Sequence, residues 1–415
     1  MSHIHIVGAG MAGLAAAVRL VAAGRAVTLW DSAKQAGGRC RSFEDAQLGC
    51  RIDNGNHLML SGNWAVQRYA RLIGAHAALW CAPTATIPFM DLRCGTRWTL
   101  SMTDGPVPVW VLDPNRRVAG ASLTDHLRLA NLLVSGPRDT VADRTPRAGP
   151  IYDRFVLPLT EAVMNAGPDR ASARLLRAVL LETFARGGQA CRPMIARDGL
   201  SEALVEPAIQ HLIRGQTDIR LGQRLSGVEC ADGRVTALGF ARHAERLGPQ
   251  DRVILALPPE KTGPLLDLPV PDAAVPIVNV HFRLPEPLAV DTPQMLGLIG
   301  GTAHWLFRRG AIASVTVSNA ERLAAEEAET IAAACWADIA RALDLAVDPM
   351  PPVRVVKEKR ATFLQTPAAV AKRPKAATRL TNLFLAGDWT DTGLPATIEG
   401  AIRSGFTAAD KALAA

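Results

Sequence analysis

Tyrosine is nearly absent: the 415 residues include only Tyr69 and Tyr152, and aromatic residues make up 5%. An aromatic cage for a cationic amine is hard to build from so few rings. No run of about 20 apolar residues is free of charge, so no transmembrane helix is expected. The start of the chain lacks the basic, apolar and small-residue order of a secretory leader. The expected location is therefore the cytoplasm. The 7 cysteines are odd in number and no two form a CxxC pair, so neither a disulfide framework nor a metal site is expected. Internal repeats are absent too. The formal net charge is +7, yet no nucleic-acid motif accompanies it and no nucleic-acid partner is expected. A solvated surface, a phosphate-binding site or an anionic membrane would each account for it. The most lopsided stretch is 354–379, where Arg354, Lys357, Lys359, Arg360, Lys372, Arg373, Lys375 and Arg379 face Glu358 alone.

What the chain does hold is apolar content of 48% with 20% charged residues, a globular composition. Its length exceeds one ordinary core and points to two intertwined domains. The segment His3–Val7 reads as a strand, 8–13 as a glycine-rich turn, 11–23 as a helix and Ala26–Trp30 as a second strand, which is a βαβ unit. Further on, 200–214 reads as a helix, and 218–221, 224–230, 235–240 and 251–257 as strands. Residues 383–386 read as a buried strand and 397–413 as a last helix. Two excursions interrupt this pattern. The first, 80–195, alternates Pro-rich apolar runs such as 106–112 with helical stretches such as 123–134, and 135–149 reads as a mobile polar loop. The second, 262–352, carries strands near 275–284 and 313–318 and a helix over 321–343.

Three motifs carry chemistry. In Gly8-Ala9-Gly10-Met11-Ala12-Gly13, Gly8 permits a tight turn, Gly10 lets the backbone approach a pyrophosphate, and Gly13 allows close helix–strand packing beside Ala12. The helix N-terminus would then face the phosphates. Asp31 closes the second strand, where a carboxylate accepts hydrogen bonds from ribose hydroxyls. Gly37-Gly38-Arg39 follows, and its guanidinium suits a pyrophosphate. A simple NAD site has no need of it, so the pair of motifs favours FAD. Near the C-terminus, the strand ending in Gly387-Asp388 would present Asp388 to ribitol hydroxyls. The helix beginning near Thr397 and Ile398 would aim N–H groups at the flavin pyrimidine edge. Glu399 would cap or orient that helix.

In this order, the three motifs resemble the amine oxidase and phytoene desaturase superfamily of flavoproteins over almost the whole chain. The resemblance implies an α/β fold, a Rossmann-type FAD-binding domain interleaved with a mixed α+β substrate domain. It divides the chain into 1–79, 196–261 and 353–415 for FAD, and 80–195 and 262–352 for substrate. Val228 would meet the adenine through its backbone. No cysteine sits where some amine oxidases attach flavin, so non-covalent FAD is implied. Gly387-Asp388-Trp389-Thr390 with 396–405 looks like the plant-type carotene desaturase branch, and Thr392, Gly393, Leu394, Pro395 and Ala396 stand where amine oxidases place a cage aromatic.

Asp53-Asn54-Gly55-Asn56-His57 with 58–63, Gly37–Ser42, and Ala361-Thr362-Phe363 with Gln365-Thr366-Pro367 narrow this further. They resemble the bacterial hydroxysqualene dehydroxylases, which supply squalene for hopanoids. The resemblance implies protonation and loss of an allylic hydroxyl as water, and hydride delivery from reduced FAD in a site that excludes bulk water. Gly55, Asn56 and His57 would lie at the flavin. His57 is the first polar candidate for catalysis, or else a structural histidine bonding FAD or backbone. Lys359 and Arg360 would approach the flavin, or else belong to a charged surface; Asp53 is a turn-former or an acid. His281 and His304 are further substrate-domain candidates. A carotenoid-type desaturase, an amine oxidase and a non-enzymatic FAD-binding protein remain alternatives. A C30 isoprenoid substrate implies peripheral contact with the inner face of the cell membrane, through the apolar stretches 106–112 and 265–276 and arginines 138, 144, 147 and 154, or else those apolar stretches line the substrate tunnel. Hand-over from hydroxysqualene synthase would supply the substrate.

Overall fold

The computed structural model describes residues 3–415; residues 1 and 2, within the first expected FAD segment, lie outside it. The strand His3–Val7 is the middle of a five-stranded sheet ordered Asp218–Arg220, Ala26–Trp30, His3–Val7, Arg252–Leu255 and Leu383–Leu385. All its pairings are parallel. Parallel sheets are covered on both faces, which explains why residues 4–7, 27–30 and 253–255 are buried, His5 and Thr28 included. The shared direction also brings the C-terminal ends of four strands to one edge. Gly8, Asp31, Ala256 and Gly387 follow those ends, so motifs far apart in the chain meet there.

The glycine-rich turn opens the helix Met11–Val21, which packs against the last helix, Ile398–Ala414. Small residues let the two approach closely: Ala12, Ala15 and Ala16 are buried, and a Cβ on Gly405 would run into the Ala12 carbonyl oxygen. A three-stranded antiparallel meander, Leu225–Ala231, Arg234–Phe240 and Ala244–Arg246, lies beside the sheet. Phe240 stacks on Trp30 at 4.2 Å, anchoring the meander.

Both excursions feed one seven-stranded sheet. Its order is Val353–Phe363, Ala274–Arg283, Ile312–Val317, Trp305–Arg309, Met295–Ile299, Thr86–Asp91 and Thr96–Ser101. The strand Val353–Phe363 pairs antiparallel with Ala274–Arg283 and has no partner in the parallel sheet. The expected boundary at 352 is therefore placed too early, and the return to the dinucleotide sheet comes after Phe363.

Local chemistry accounts for the other differences. Segment 135–149, expected as a mobile loop, contains the helical turn Val141–Arg144 with a capping box from Thr140 and Asp143. Arg144 pairs with Asp139 and Arg147 with Asp143. The helix expected over 123–134 is α-helical over Leu123–Arg128 and tightens to a 3₁₀ helix over Leu129–Val134. In the helix expected over 200–214, a π turn at Ser201–Val205 precedes Glu206–Arg214, as Pro207 cannot donate a backbone hydrogen bond. The expected helix at 321–343 begins at Ala328, after a 3₁₀ turn at Leu323–Ala325. Among the described residues, no helix is long and apolar enough to cross a membrane.

The contact between the first and last helices generates a stability prediction. Gly405→Ala should cost about 1–3 kcal/mol by overpacking against backbone that has little room to shift. Urea unfolding of the purified apoprotein checks this; a variant as stable as the parent would show that the helices can separate without penalty.

Candidate functional site

At the sheet edge, the glycine-rich turn is held from three sides. Gly8 donates its N–H to the Trp30 carbonyl at 2.7 Å, and its φ of +112° suits glycine. A Cβ there would strike the Ala256 carbonyl, and one on Gly13 would overlap the Gly8 carbonyl. Gly10 is different: nothing lies within 4 Å of an added Cβ. Open space in front of Gly10, at the mouth of a helix, is the cradle a pyrophosphate requires. Asp31 Oδ2 accepts from Ala9 N at 2.6 Å and Oδ1 from Ala33 N at 2.7 Å. The acid expected at the ribose thus also braces the turn, and each oxygen retains a second acceptor lone pair.

The second glycine motif abuts the first. Gly37 donates to the Ala9 carbonyl at 2.8 Å, and a Cβ on Gly38 would sit 3.3 Å from the Gly10 Cα. Arg39 then meets the C-terminal motif. Its Nη2 lies 2.8 Å from Asp388 Oδ2, and its Nη1 donates to the Ala361 carbonyl. The Asp388 carboxylate pushes the guanidinium above the usual arginine range. Two residues assigned separately to pyrophosphate and ribitol are therefore partners at one junction. Asn54 adds a third strand of contacts, donating to Glu358 Oε2 at 3.1 Å. Sequence reasoning missed Glu358 and Ala361 as neighbours of Arg39. The signal was there in part, since Glu358 is the lone acid in the basic run.

Thr397 caps the last helix: its Oγ1 accepts from Gly400 N at 3.1 Å, which leaves Ile398 as the first helical residue. Gly387 N donates to Ser404 Oγ at 2.5 Å, fixing the strand end against that helix. Glu399 does not cap its own helix. Its carboxylate accepts from Ala65 N at 3.1 Å and Val66 N at 2.9 Å, at the start of the helix Trp64–Leu72, and from Arg403 at 2.7 Å.

The loop through Gly55, Asn56 and His57 touches the seven-stranded sheet. A Cβ on Gly55 would lie 2.9 Å from Asn279 Nδ2, and Asn56 Nδ2 donates to Thr316 Oγ1 at 3.1 Å. Asp53 is neither a simple turn-former nor a free acid. It accepts from Ser42 Oγ at 2.5 Å, Leu200 N at 3.0 Å and Arg309 at 2.8 Å, riveting the loop to both domains. His57 lines a cleft of about 30 Å³ with Asn56, Ile195, Phe307, Arg309 and Ser314. Desolvation draws its pKa down to about 4, outweighing an upward pull from Asp53, with a lesser downward contribution from Arg39. The imidazole is neutral at physiological pH. His281 is buried within the sheet and bonded to Ser314 at 2.8 Å, while His304 lies 3.8 Å from Glu161. Lys359 is exposed on the strand Val353–Phe363, beside the register irregularity opposite Val275 and Ile277, and Arg360 reaches Glu260 at 3.5 Å. Val228 pairs with Leu238 in the meander.

The pairing of Arg39 makes its loss more disruptive than loss of a loop cation. Arg39→Ala should weaken FAD binding by about 10- to 100-fold, the worth of charge-assisted bonds near 1.5–3 kcal/mol. The exposed Lys34 in the same loop should tolerate Ala within about twofold. Titration of apoprotein with FAD compares the two, and equal affinities would remove Arg39 from the cofactor site.

A profile described as flavin containing amine oxidoreductase matches residues 11–413. The chain is 46% identical over 414 residues to hydroxysqualene dehydroxylase of Rhodopseudomonas palustris, covering 99% of this chain and 98% of that protein. It is 44% identical over 412 residues to the Sinorhizobium fredii hydroxysqualene dehydroxylase, with coverage of 99% and 98%. Cyclohexylamine oxidase from Brevibacterium oxydans shares the fold, with a TM-score of 0.71 at 14% identity over 100% of this chain and 99% of that one. The open cradle at Gly10, the cationic junction at Arg39 and the capped helix at Thr397 fit the FAD such a family carries. The chain belongs to the hydroxysqualene dehydroxylases, within the flavin-containing amine oxidoreductases.

Proposed function

We propose that the protein removes the allylic hydroxyl of hydroxysqualene reductively, giving squalene for hopanoid synthesis. The observation that carries this reading is full-length similarity to two hydroxysqualene dehydroxylases, together with the three-part cofactor edge. Bound and reduced, FAD supplies the hydride, and a proton leaves with the hydroxyl as water. Gly8, Gly10, Ala12 and Gly13 cradle the pyrophosphate with Gly38 and Arg39. Asp31 serves the adenosine ribose and the Val228 backbone the adenine; Asp388 serves the ribitol. Gly55, Asn56, Gly387, Thr397 and Ile398 complete the flavin site. His57, kept neutral chiefly by desolvation, acts as a hydrogen-bond partner at the reacting end. Lys359 remains the cationic candidate on the strand beside Arg39, with no ion pair or hydrogen bond among the described residues.

Membrane contact belongs to this reading, because a C30 isoprenoid resides in a bilayer. Val107, Leu112, Leu127 and Val134 are exposed by 64%, 63%, 61% and 69%, all within the first excursion. Beneath them, Trp110, Leu132 and Phe155 belong to an apolar cluster that extends to Ile195 and Phe307 at the His57 cleft. That continuity offers an apolar route inward, and a cleft of about 30 Å³ must widen to admit the chain. The other expected docking stretch, 265–276, serves differently: Leu266, Leu268 and Val270 pack against the dinucleotide core. The expected arginines also contribute less charge, since Arg144, Arg147 and Arg154 pair with Asp139, Asp143 and Asp91. Delivery from hydroxysqualene synthase at the membrane surface completes the proposal.

Anaerobic incubation of reduced holoprotein with hydroxysqualene should yield squalene by mass analysis, with the flavin reoxidised in equal amount. Formation of a desaturated product from phytoene by oxidised holoprotein, with hydroxysqualene untouched, would assign the desaturase reading instead. With anionic vesicles the holoprotein should sediment, and raised salt should release only part of it, because the apolar contribution is not screened. A Leu112→Ser, Val134→Ser double variant should sediment at least fivefold less; unchanged sedimentation would move the docking face elsewhere.

A further inference from the structure

Arg373 looks from sequence like one more surface cation in the basic run, but it is 6% exposed. It follows the short helix Pro367–Ala371. Its Nη1 donates to the Leu394 carbonyl at 2.6 Å. Its Nη2 donates to the Asp388 carbonyl at 3.0 Å, to Thr392 Oγ1 at 3.1 Å and to the Thr390 carbonyl. Every acceptor lies in the loop 388–394, between Asp388 and the Thr397 cap. The Phe363 ring supports the guanidinium at 5.5 Å. Gln365 Oε1 fixes the far end of the loop, accepting from Ala396 N at 2.8 Å.

Among the described residues, Arg373 has no ion pair. The Asp388 carboxylate pairs with Arg39 and Asp391 is exposed, so both act on Arg373 only from beyond ion-pair distance. Its Nε–H is buried with no hydrogen-bond partner. Burial draws the pKa down to about 10, so the group remains cationic at neutral pH. A loop needing only its carbonyls satisfied could use a neutral amide or a water. Burying a full charge against neutral oxygens is costly unless an anion shares the site in some state of the protein. The loop joins two FAD contact points, and reduction places negative charge on the flavin.

We propose that Arg373 is the positioning residue of this cofactor loop. It fixes Asp388 relative to the Thr397 helix start and supplies a buried positive charge, without an ion pair of its own, that favours reduced FAD. The role rests on FAD binding and is independent of the substrate. Binding of FAD to the parent protein is measured first, and its failure would sink the flavin reading rather than this one. Arg373→Gln should then weaken oxidised FAD at least tenfold and reduced FAD about tenfold more. That extra factor is a midpoint potential about 30 mV more negative. Arg373→Lys keeps the charge but loses the fork, so its FAD dissociation constant should rise while its potential stays at the parent value. Visible circular dichroism of bound flavin should change in both variants. A Gln variant with the parent's potential, or Gln and Lys variants shifted alike, overturns the proposal. If the Gln variant does not fold, the Lys variant decides: a shifted potential or an unchanged dissociation constant overturns it.

Discussion

Arg39 joins three parts of the chain that are remote in sequence. It leaves the glycine-rich loop after the second strand, pairs with Asp388 at the end of the last parallel strand, and donates to Ala361 on the edge of the seven-stranded sheet. Both domains and the C-terminal motif therefore converge on one guanidinium. Its side chain is 42% exposed, so solvent screens the ion pair and its value lies less in stability than in placement. Arginine suits such a junction because its planar fork serves acceptors on more than one side while remaining charged.

Two buried carboxylates tie other parts of the chain together. Asp53 ties the adjoining loop to Ser42, Leu200 and Arg309, and Glu399 ties the last helix to Trp64–Leu72. These carboxylates are structural struts satisfied by several donors, as buried charges must be. The side facing His57 looks different. His57 sits in a small cleft, neutral, next to an apolar cluster that reaches the exposed side chains of the first excursion. Polar rigidity on the cofactor side and apolar continuity on the other suit a protein that must hold FAD firmly and admit a water-insoluble chain.

The sequence alone determined the βαβ unit, the glycine motifs, the C-terminal strand and the interleaving of two domains. These are local signals: a tight turn requires glycine, a buried parallel strand requires an apolar run, and a helix start requires a cap such as Thr397. The family was legible as well, because its motifs combine glycines with specific polar neighbours, such as Asp53 through His57. Tertiary structure alone decided which charges find one another. Nothing local distinguishes Arg373, buried among carbonyls, from Lys359, exposed on a strand, although both lie in one basic run. Nor does local sequence show that Val353–Phe363 joins the substrate sheet, that Glu399 caps a neighbouring helix, or that Leu266, Leu268 and Val270 pack inward. Strand partners and long-range ion pairs depend on residues tens to hundreds of positions apart, and the free energy that selects them exists only once both surfaces are in place.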